Sequence, residues 1–302
     1  MTRLKPLAAL LFTMLIWGVT PVFLRSLSVG LGPADALVIR YTPVALLSLA
    51  ILLATGGWRI ARADVPRLLV ISLLGLFGYS LTSVYGFASV PAGVGGLIYA
   101  TQPLFIALLA AIMLGEKLTP QVIIGFALAL IGTSLLFWDD LAGGGTAGSS
   151  ITGMLLLVFA CFIWGFYSVP AKALVLRYGT LNTTTLSLLI GTLPMLALAS
   201  PQTLDTVARM TPRLWAEIAF LAFASTFIAM FSWTYATSRL PAATTGAFLY
   251  LIPVIAVLAG TLMLDEAVTL NMVLGGLLIL GGVAFAQLGQ RLRRVRHEQN
   301  AV

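Results

Sequence analysis

The stretch from Tyr85 to Leu136 is written a second time 150 residues later, from Tyr235 to Ala286. Laid over each other, the copies share Tyr85/Tyr235, Pro91/Pro241, Gly96/Gly246, Pro103/Pro253, Met113/Met263, Glu116/Glu266, Thr119/Thr269, Gly125/Gly275 and Gly132/Gly282. With Ala92, Leu108, Leu114, Leu128 and Leu130 that makes 14 identities in 52 aligned positions. Leucine-rich sequence yields chance matches, but shared prolines, glycines and one acidic residue are harder to obtain by accident. Ile16-Trp17-Gly18 also returns as Ile163-Trp164-Gly165, 147 residues on. A chain built from a duplicated half must fold into two like bodies, and the surroundings of those bodies decide how they meet.

Those surroundings are lipid. With 60% apolar and 9% charged residues and a mean hydropathy of +1.04, the chain exposes more apolar surface than a soluble interior can hide, since soluble domains are about a quarter charged. The net charge of +7 does not point to nucleic acid, because the basic residues lie in short loops and in a tail holding Arg291, Arg293, Arg294 and Arg296, not on one face. A single cysteine, Cys161, excludes an internal disulfide and a cysteine metal cluster, and the one histidine, His297, lies in the tail. No metal site and no cofactor is expected. No embedded cluster of His, Asp or Glu is present from which to build an enzyme, and no nucleotide-binding loop of the form G-x-x-x-x-G-K-[ST].

A spanning helix needs about 20 apolar residues to cross a layer of roughly 30 Å. Ten segments qualify, near 7–27, 34–54, 66–88, 92–114, 119–138, 152–175, 181–200, 214–236, 242–264 and 270–288. The expected fold is therefore an all-α polytopic membrane protein of ten transmembrane helices. It divides into a first five-helix repeat over 1–138, a flexible Gly/Ser-rich linker over 139–151, a second repeat over 152–288 and a basic tail over 289–302. With both termini on one side, that side holds 13 of the 17 Lys and Arg residues and the other holds Arg25, Arg209 and Arg213. The excess of positive charge marks the cytoplasm, so both termini are expected there. Five spans is an odd number, so the second half enters the membrane upside down. Inverted repeats are the architecture of alternating-access transporters, with substrate near the midplane between the halves.

Few residues carry chemistry inside the spans. Trp58, Trp138, Trp215 and Trp233 fall near span ends as headgroup anchors, whereas Trp17 and Trp164 sit mid-span at equivalent places. An indole at that depth either packs between helices or finds its N–H partner in a wet central cavity. Pro103 and Pro253 interrupt the fourth and ninth spans, beside Tyr99, Gln102 and Tyr250. Ile252 stands where Gln102 stands in the other half, and a recognition position should break symmetry; a hydrogen bond to a neighbouring helix is the alternative. Arg40 is the one charge clearly inside a span, where it meets a substrate carboxylate, is neutralised by Asp35 or by carbonyls, or snorkels outward. Arg25 and Lys172 are repeat partners near the ends of the first helices, as gating charges or as interfacial anchors. No acid lies mid-span, which disfavours a proton-coupled carrier of cationic drugs and leaves neutral, zwitterionic or anionic solutes. The glycine pairs Gly125/Gly132 and Gly275/Gly282 suit close helix packing, within a monomer or in a homodimer.

Trp17-Gly18, Arg40-Tyr41, Pro103 followed by Leu114-Gly115-Glu116, Pro253 followed by Leu264-Asp265-Glu266, and the two glycine pairs resemble the ten-span EamA-type branch of the drug/metabolite transporter superfamily. The second half departs in having Asp265 where Gly115 stands. The run from Leu15 to Pro33 is also similar to bacterial aromatic amino-acid exporters of that superfamily. The resemblance implies a bacterial inner-membrane exporter of small metabolites, amino acids being a frequent substrate class. The expected substrate site is a central cavity lined by Trp17, Arg40, Tyr79, Tyr99, Gln102, Trp164 and Tyr250, with Pro103, Pro253, Arg25 and Lys172 in hinge or gating positions. The expected partners are a small-molecule substrate and the lipid bilayer.

Overall fold

In lipid every backbone N–H and C=O must be satisfied within the chain, and apolar segments of this length do so as helices. The computed structural model describes residues 4–115, 118, 120–141, 150–237, 239 and 248–299, and no strand occurs among them. The first half contributes α1 (Leu4–Gly30), α2 (Pro33–Thr55), α3 (Arg62–Phe87), α4 (Ala92–Leu114) and α5 (Pro120–Leu141). The second contributes α6 (Ile151–Tyr178), α7 (Thr180–Leu196), α8 (Pro212–Ala219 continued through Phe220–Ile228 and Ala229–Thr237), α9 (Leu251–Leu264) and α10 (Leu270–Gln299). Among the described residues, six helices are long and apolar enough to cross a membrane, and α7 forms a seventh with a short helix, Pro201–Ala208, bent 105° from it. Shorter apolar helices in α5, α9 and α10 complete the set. The chain is a multi-pass α-helical membrane protein, and each of the ten segments read from the sequence holds one of these helices.

One expected span changes in detail. The span expected at 181–200 stops at Leu196, where the chain turns sharply into Pro201–Ala208, capped by Ser200 and Thr203. The first residues of the ninth span, 242–247, and Glu116 lie outside the described residues.

The two halves clasp each other through their repeat-equivalent helices. On α5 and α10, Gly125 lies against Gly282 and Gly132 against Gly275, so the helices run antiparallel. A Cβ added at Gly132 would stand 2.6 Å from the carbonyl oxygen of Gly275, and one added at Gly275 would stand 2.7 Å from that of Gly132. Because Gly125 and Gly132 are the equivalents of Gly275 and Gly282, this contact maps onto itself when the halves are exchanged. Equivalent helices that pack antiparallel are related by an axis perpendicular to their length, which for membrane-crossing helices lies in the membrane plane. The repeats are inverted, and the glycine faces are engaged within one chain. Lipid supplies no hydrophobic drive between helices, so close backbone approach at small residues is what holds them.

The same exchange recurs at the first helices. Gly18 on α1 packs on Ile255 of α9, and Gly165 on α6 packs on Phe105 and Ile106 of α4. The turn between the first two helices of each half is built on Gly32 (φ 82°, ψ 151°) and Gly179 (φ 81°, ψ 158°), a region open essentially to glycine alone. Both third helices also widen to π-helical winding at matching places, Ile71–Gly78 in α3 and Phe220–Ile228 in α8.

Candidate functional site

A cavity of about 460 Å³ lies between the halves, close to the exchange axis. Equivalent positions face it from both sides: Trp17 and Trp164, Arg40 and Ser187, Tyr41 and Leu188, Gly75 and Ser225, Gln102 and Ile252, Pro103 and Pro253. All seven residues read from the sequence as lining a cavity do so: Trp17, Arg40, Tyr79, Tyr99, Gln102, Trp164 and Tyr250.

The helices deliver these side chains through local irregularity. In α4 the α-winding is interrupted at Ala100 and Thr101, directly before Gln102-Pro103. Proline cannot donate to the carbonyl four residues back and its ring crowds that turn, so Tyr99 and Gln102 both turn toward the cavity. Leu249 and Tyr250 form the corresponding turn ahead of Pro253. Within the π segment of α8, the backbone oxygen of Ser225 accepts from the indole of Trp17 at 3.2 Å. This is the partner a mid-membrane tryptophan requires, and the opposite half supplies it.

One wall is aromatic. The rings of Tyr99 and Tyr79 lie 5.9 Å apart, those of Tyr79 and Trp164 5.1 Å, and those of Trp164 and Tyr167 5.3 Å. Across from them Trp17 meets Trp233 at 5.5 Å. Trp233 therefore does not serve as the headgroup anchor expected from its place near a span end. Thr226, Met230 and Trp233 follow at spacings of four and three residues and, with Ser225, line the cavity from α8. Trp58, Trp138 and Trp215 are exposed, as anchors at the interface would be. Hydroxyls are paired around the cavity: Tyr41 with Ser80 at 2.6 Å, Tyr99 with Ser83, and Thr20 with Ser225 at 2.9 Å. The amide of Gln102 donates to the Tyr79 hydroxyl at 3.4 Å.

Arg40 dominates the electrostatics. It is 9% exposed, its Nε has no hydrogen-bond partner, and its guanidinium carbon sits 4.8 Å from the centre of the Tyr41 ring. Of the alternatives open in the sequence, pairing with Asp35 does not occur. That carboxylate accepts from the hydroxyls of Thr203 and Thr206, each at 2.6 Å, and holds the short helix after α7 onto the start of α2. Nor does Arg40 snorkel, because its side chain is buried at the cavity wall. It is the only ionisable Lys, Arg, Asp or Glu lining the cavity among the described residues.

The remaining hinge and gating candidates fall apart from one another. Arg25 stands away from the cavity and donates to the carbonyls of Phe87 at 2.9 Å and Ala88 at 2.6 Å, closing the C-terminal end of α3. Beside it, Glu266 accepts from the backbone N–H groups of Ala92 at 2.7 Å and Gly93 at 3.0 Å, capping α4 from the other half. Lys172 lies on α6, and its side chain is outside the described residues. At the opposite ends of these helices, Asp64 receives Arg177 at 2.7 Å and the Tyr178 hydroxyl at 2.6 Å, tying α3 to α6. Sequence reading missed Tyr41, Ser80, Ser83, Tyr167, Ser187, Ser225 and Trp233. Serines and tyrosines are common in spans, and nothing local separates those that face a cavity from those that bond the turn above.

Two inverted helical halves around a central aromatic cavity form the architecture of a membrane transporter. The chain matches the EamA-like transporter family over residues 4–138 and again over 151–287, and it belongs to that family. A probable terminal-alkyne amino-acid exporter of Streptantibioticus cattleyicolor is 31% identical over 280 residues, covering 92% of both chains. A probable amino-acid metabolite efflux pump of Escherichia coli is 25% identical over 311 residues, covering 97% of this chain and 98% of that protein. A solved crystal structure superposes with a TM-score of 0.59 at 23% identity, over 96% of this chain and 99% of that one, and shares the fold.

Proposed function

We propose that this protein exports small carboxylate-bearing metabolites, amino acids foremost, across an inner membrane by alternating access. The carrying observation is Arg40, a buried guanidinium at the cavity wall with an unpartnered Nε and, among the described residues, no carboxylate lining the cavity with it. A buried cation is costly unless paired, and a substrate carboxylate would complete it with two parallel hydrogen bonds. Trp17, Tyr79, Tyr99 and Trp164 would then face the substrate's apolar side chain, while Gln102 and Tyr250 would supply neutral polar contacts. The names of the relatives in Streptantibioticus cattleyicolor and Escherichia coli support amino acids as the class and export as the direction. The exchange of helices between inverted halves supports two alternating states, with Pro103 and Pro253 as hinges. The distribution of Lys and Arg supports termini in the cytoplasm.

The test is counterflow in proteoliposomes preloaded with one amino acid, with labelled tracer added outside. Saturable accumulation, inhibited by a defined set of amino acids, is expected. Arg40→Gln should lower the rate at least ~10-fold, in line with losing one partner of a buried charged pair. Trp17→Ala, Trp164→Ala and Gln102→Ala, all folded and all running at the wild-type rate, would remove the cavity from the substrate path. Flux without saturation or competition would mean a channel.

A further inference from the structure

The charge balance of the cavity says more about its substrate than the presence of a carboxylate. Arg40 lines it as a positive charge, and no described carboxylate lines it with Arg40. Asp35 holds Thr203 and Thr206, Glu266 caps Ala92 and Gly93, and Glu217, which does not line the cavity, holds Arg213 at 2.9 Å through one oxygen while its other is buried without a partner. A monoanion entering this space brings the net charge to zero. A zwitterion satisfies the guanidinium but carries its own ammonium in, leaving one positive charge without a counter-ion at low dielectric. Tryptophan and tyrosine faces attract an ammonium, which softens that penalty without cancelling the charge. The neutral polar groups at hand suit an amide or keto oxygen instead. Tyr250 lines the cavity with a buried hydroxyl that has no partner, and Gln102 carries both a donor and an acceptor.

We propose that the cavity selects monoanionic carboxylates over zwitterions, so that amino-acid derivatives with an uncharged nitrogen or none, such as N-acyl amino acids and 2-oxo or 2-hydroxy acids, bind more tightly than the parent amino acids. This rests on the cavity being the substrate site, as proposed above. The aromatic wall formed by Tyr99, Tyr79 and Trp164 favours those whose side chain is aromatic or large and apolar.

Three probes sharing one side chain separate the charges: N-acetyl-L-phenylalanine (anion), L-phenylalanine (zwitterion) and L-phenylalaninamide (cation). Apparent Kd is read from thermal stabilisation of the full-length protein in detergent and checked by competition against labelled L-phenylalanine in counterflow. The acetylated compound should bind ~10-fold or more tightly than the zwitterion, about 1.4 kcal/mol, and the amide should not bind. Arg40→Gln should collapse that ratio toward one; the series on the unmodified protein stands even if this variant does not fold. Saturable L-phenylalanine counterflow that the acetylated compound does not inhibit would overturn the selectivity and leave the transport function standing. If folded protein binds and moves none of the three, both fall.

Discussion

Arg40 and its repeat equivalent Ser187 show at single-residue scale how a symmetric scaffold acquires a direction of recognition. The two positions face one cavity from opposite halves, and only one carries a charge, so the carboxylate proposed as substrate would be drawn toward α2. Gln102 and Ile252 repeat that asymmetry on α4 and α9. A second pair explains a departure that the sequence alone left open. Gly115 ends α4 at φ 68°, and Asp265 ends α9 at φ 54°, the one non-glycine residue with positive φ among those described. Asp265 stands where the left-handed turn requires glycine or a short polar side chain. The N–H of Glu266 closes that turn on the carbonyl of Gly260 at 3.3 Å, and this brings its carboxylate to the start of α4. Replacing Asp265 with glycine relieves the Cβ penalty, so Asp265→Gly should stabilise by about 1 kcal/mol, read as a raised Tm in detergent with unchanged counterflow. A lowered Tm would mean that the aspartate side chain does more than tolerate the turn.

Two devices act at the scale of the helix. The π segments in α3 and α8 shift the register of the following turn, which sets Tyr79 and Trp233 on the cavity face; such insertions recur at functional sites. The crossing of α5 and α10 acts through absence of side chains. Neighbouring glycines on α10 separate this from mere glycine content. A Cβ at Gly282 would stand 2.5 Å from the Gly125 carbonyl oxygen, a backbone atom that cannot move aside, whereas one at Gly281 meets nothing within 4 Å. Gly282→Ala should therefore destabilise by roughly 1–3 kcal/mol, and Gly281→Ala should stabilise by up to ~1 kcal/mol through helix propensity alone. Paired thermal melts of the two variants check this. Equal shifts of the same sign would argue against the crossing as the clasp between halves.

For the whole molecule, the decisive property is that an odd number of spans was duplicated. The halves lie head to tail, their equivalent helices interlock, and among the described residues a cavity of about 460 Å³ is lined from both. The proposed orientation, with both termini in the cytoplasm, rests on the Lys and Arg distribution. A fluorescent reporter that matures only in the cytoplasm should light up when fused after Val302, and a phosphatase active only outside should be silent there. The reverse pattern would invert the assignment of sides and with it the direction of export.

Fold class, the two inverted halves and part of the cavity lining were legible in the chain, because membrane insertion leaves few alternatives. Lipid demands long apolar helices, duplication repeats their punctuation, and polar or proline residues inside a span are rare enough to be conspicuous. Pro103, Gln102 and Arg40 could be picked out on that ground. Tertiary structure alone decided which partner each residue meets: that Asp35 turns to threonines and not to Arg40, that the Trp17 indole finds a carbonyl of the opposite half, and that Trp233 faces inward. These outcomes depend on helix rotation and on where winding loosens to π. A span with no consistent polar face leaves rotation unmarked, since almost every side of it is apolar, and only packing against the other half sets which side faces in.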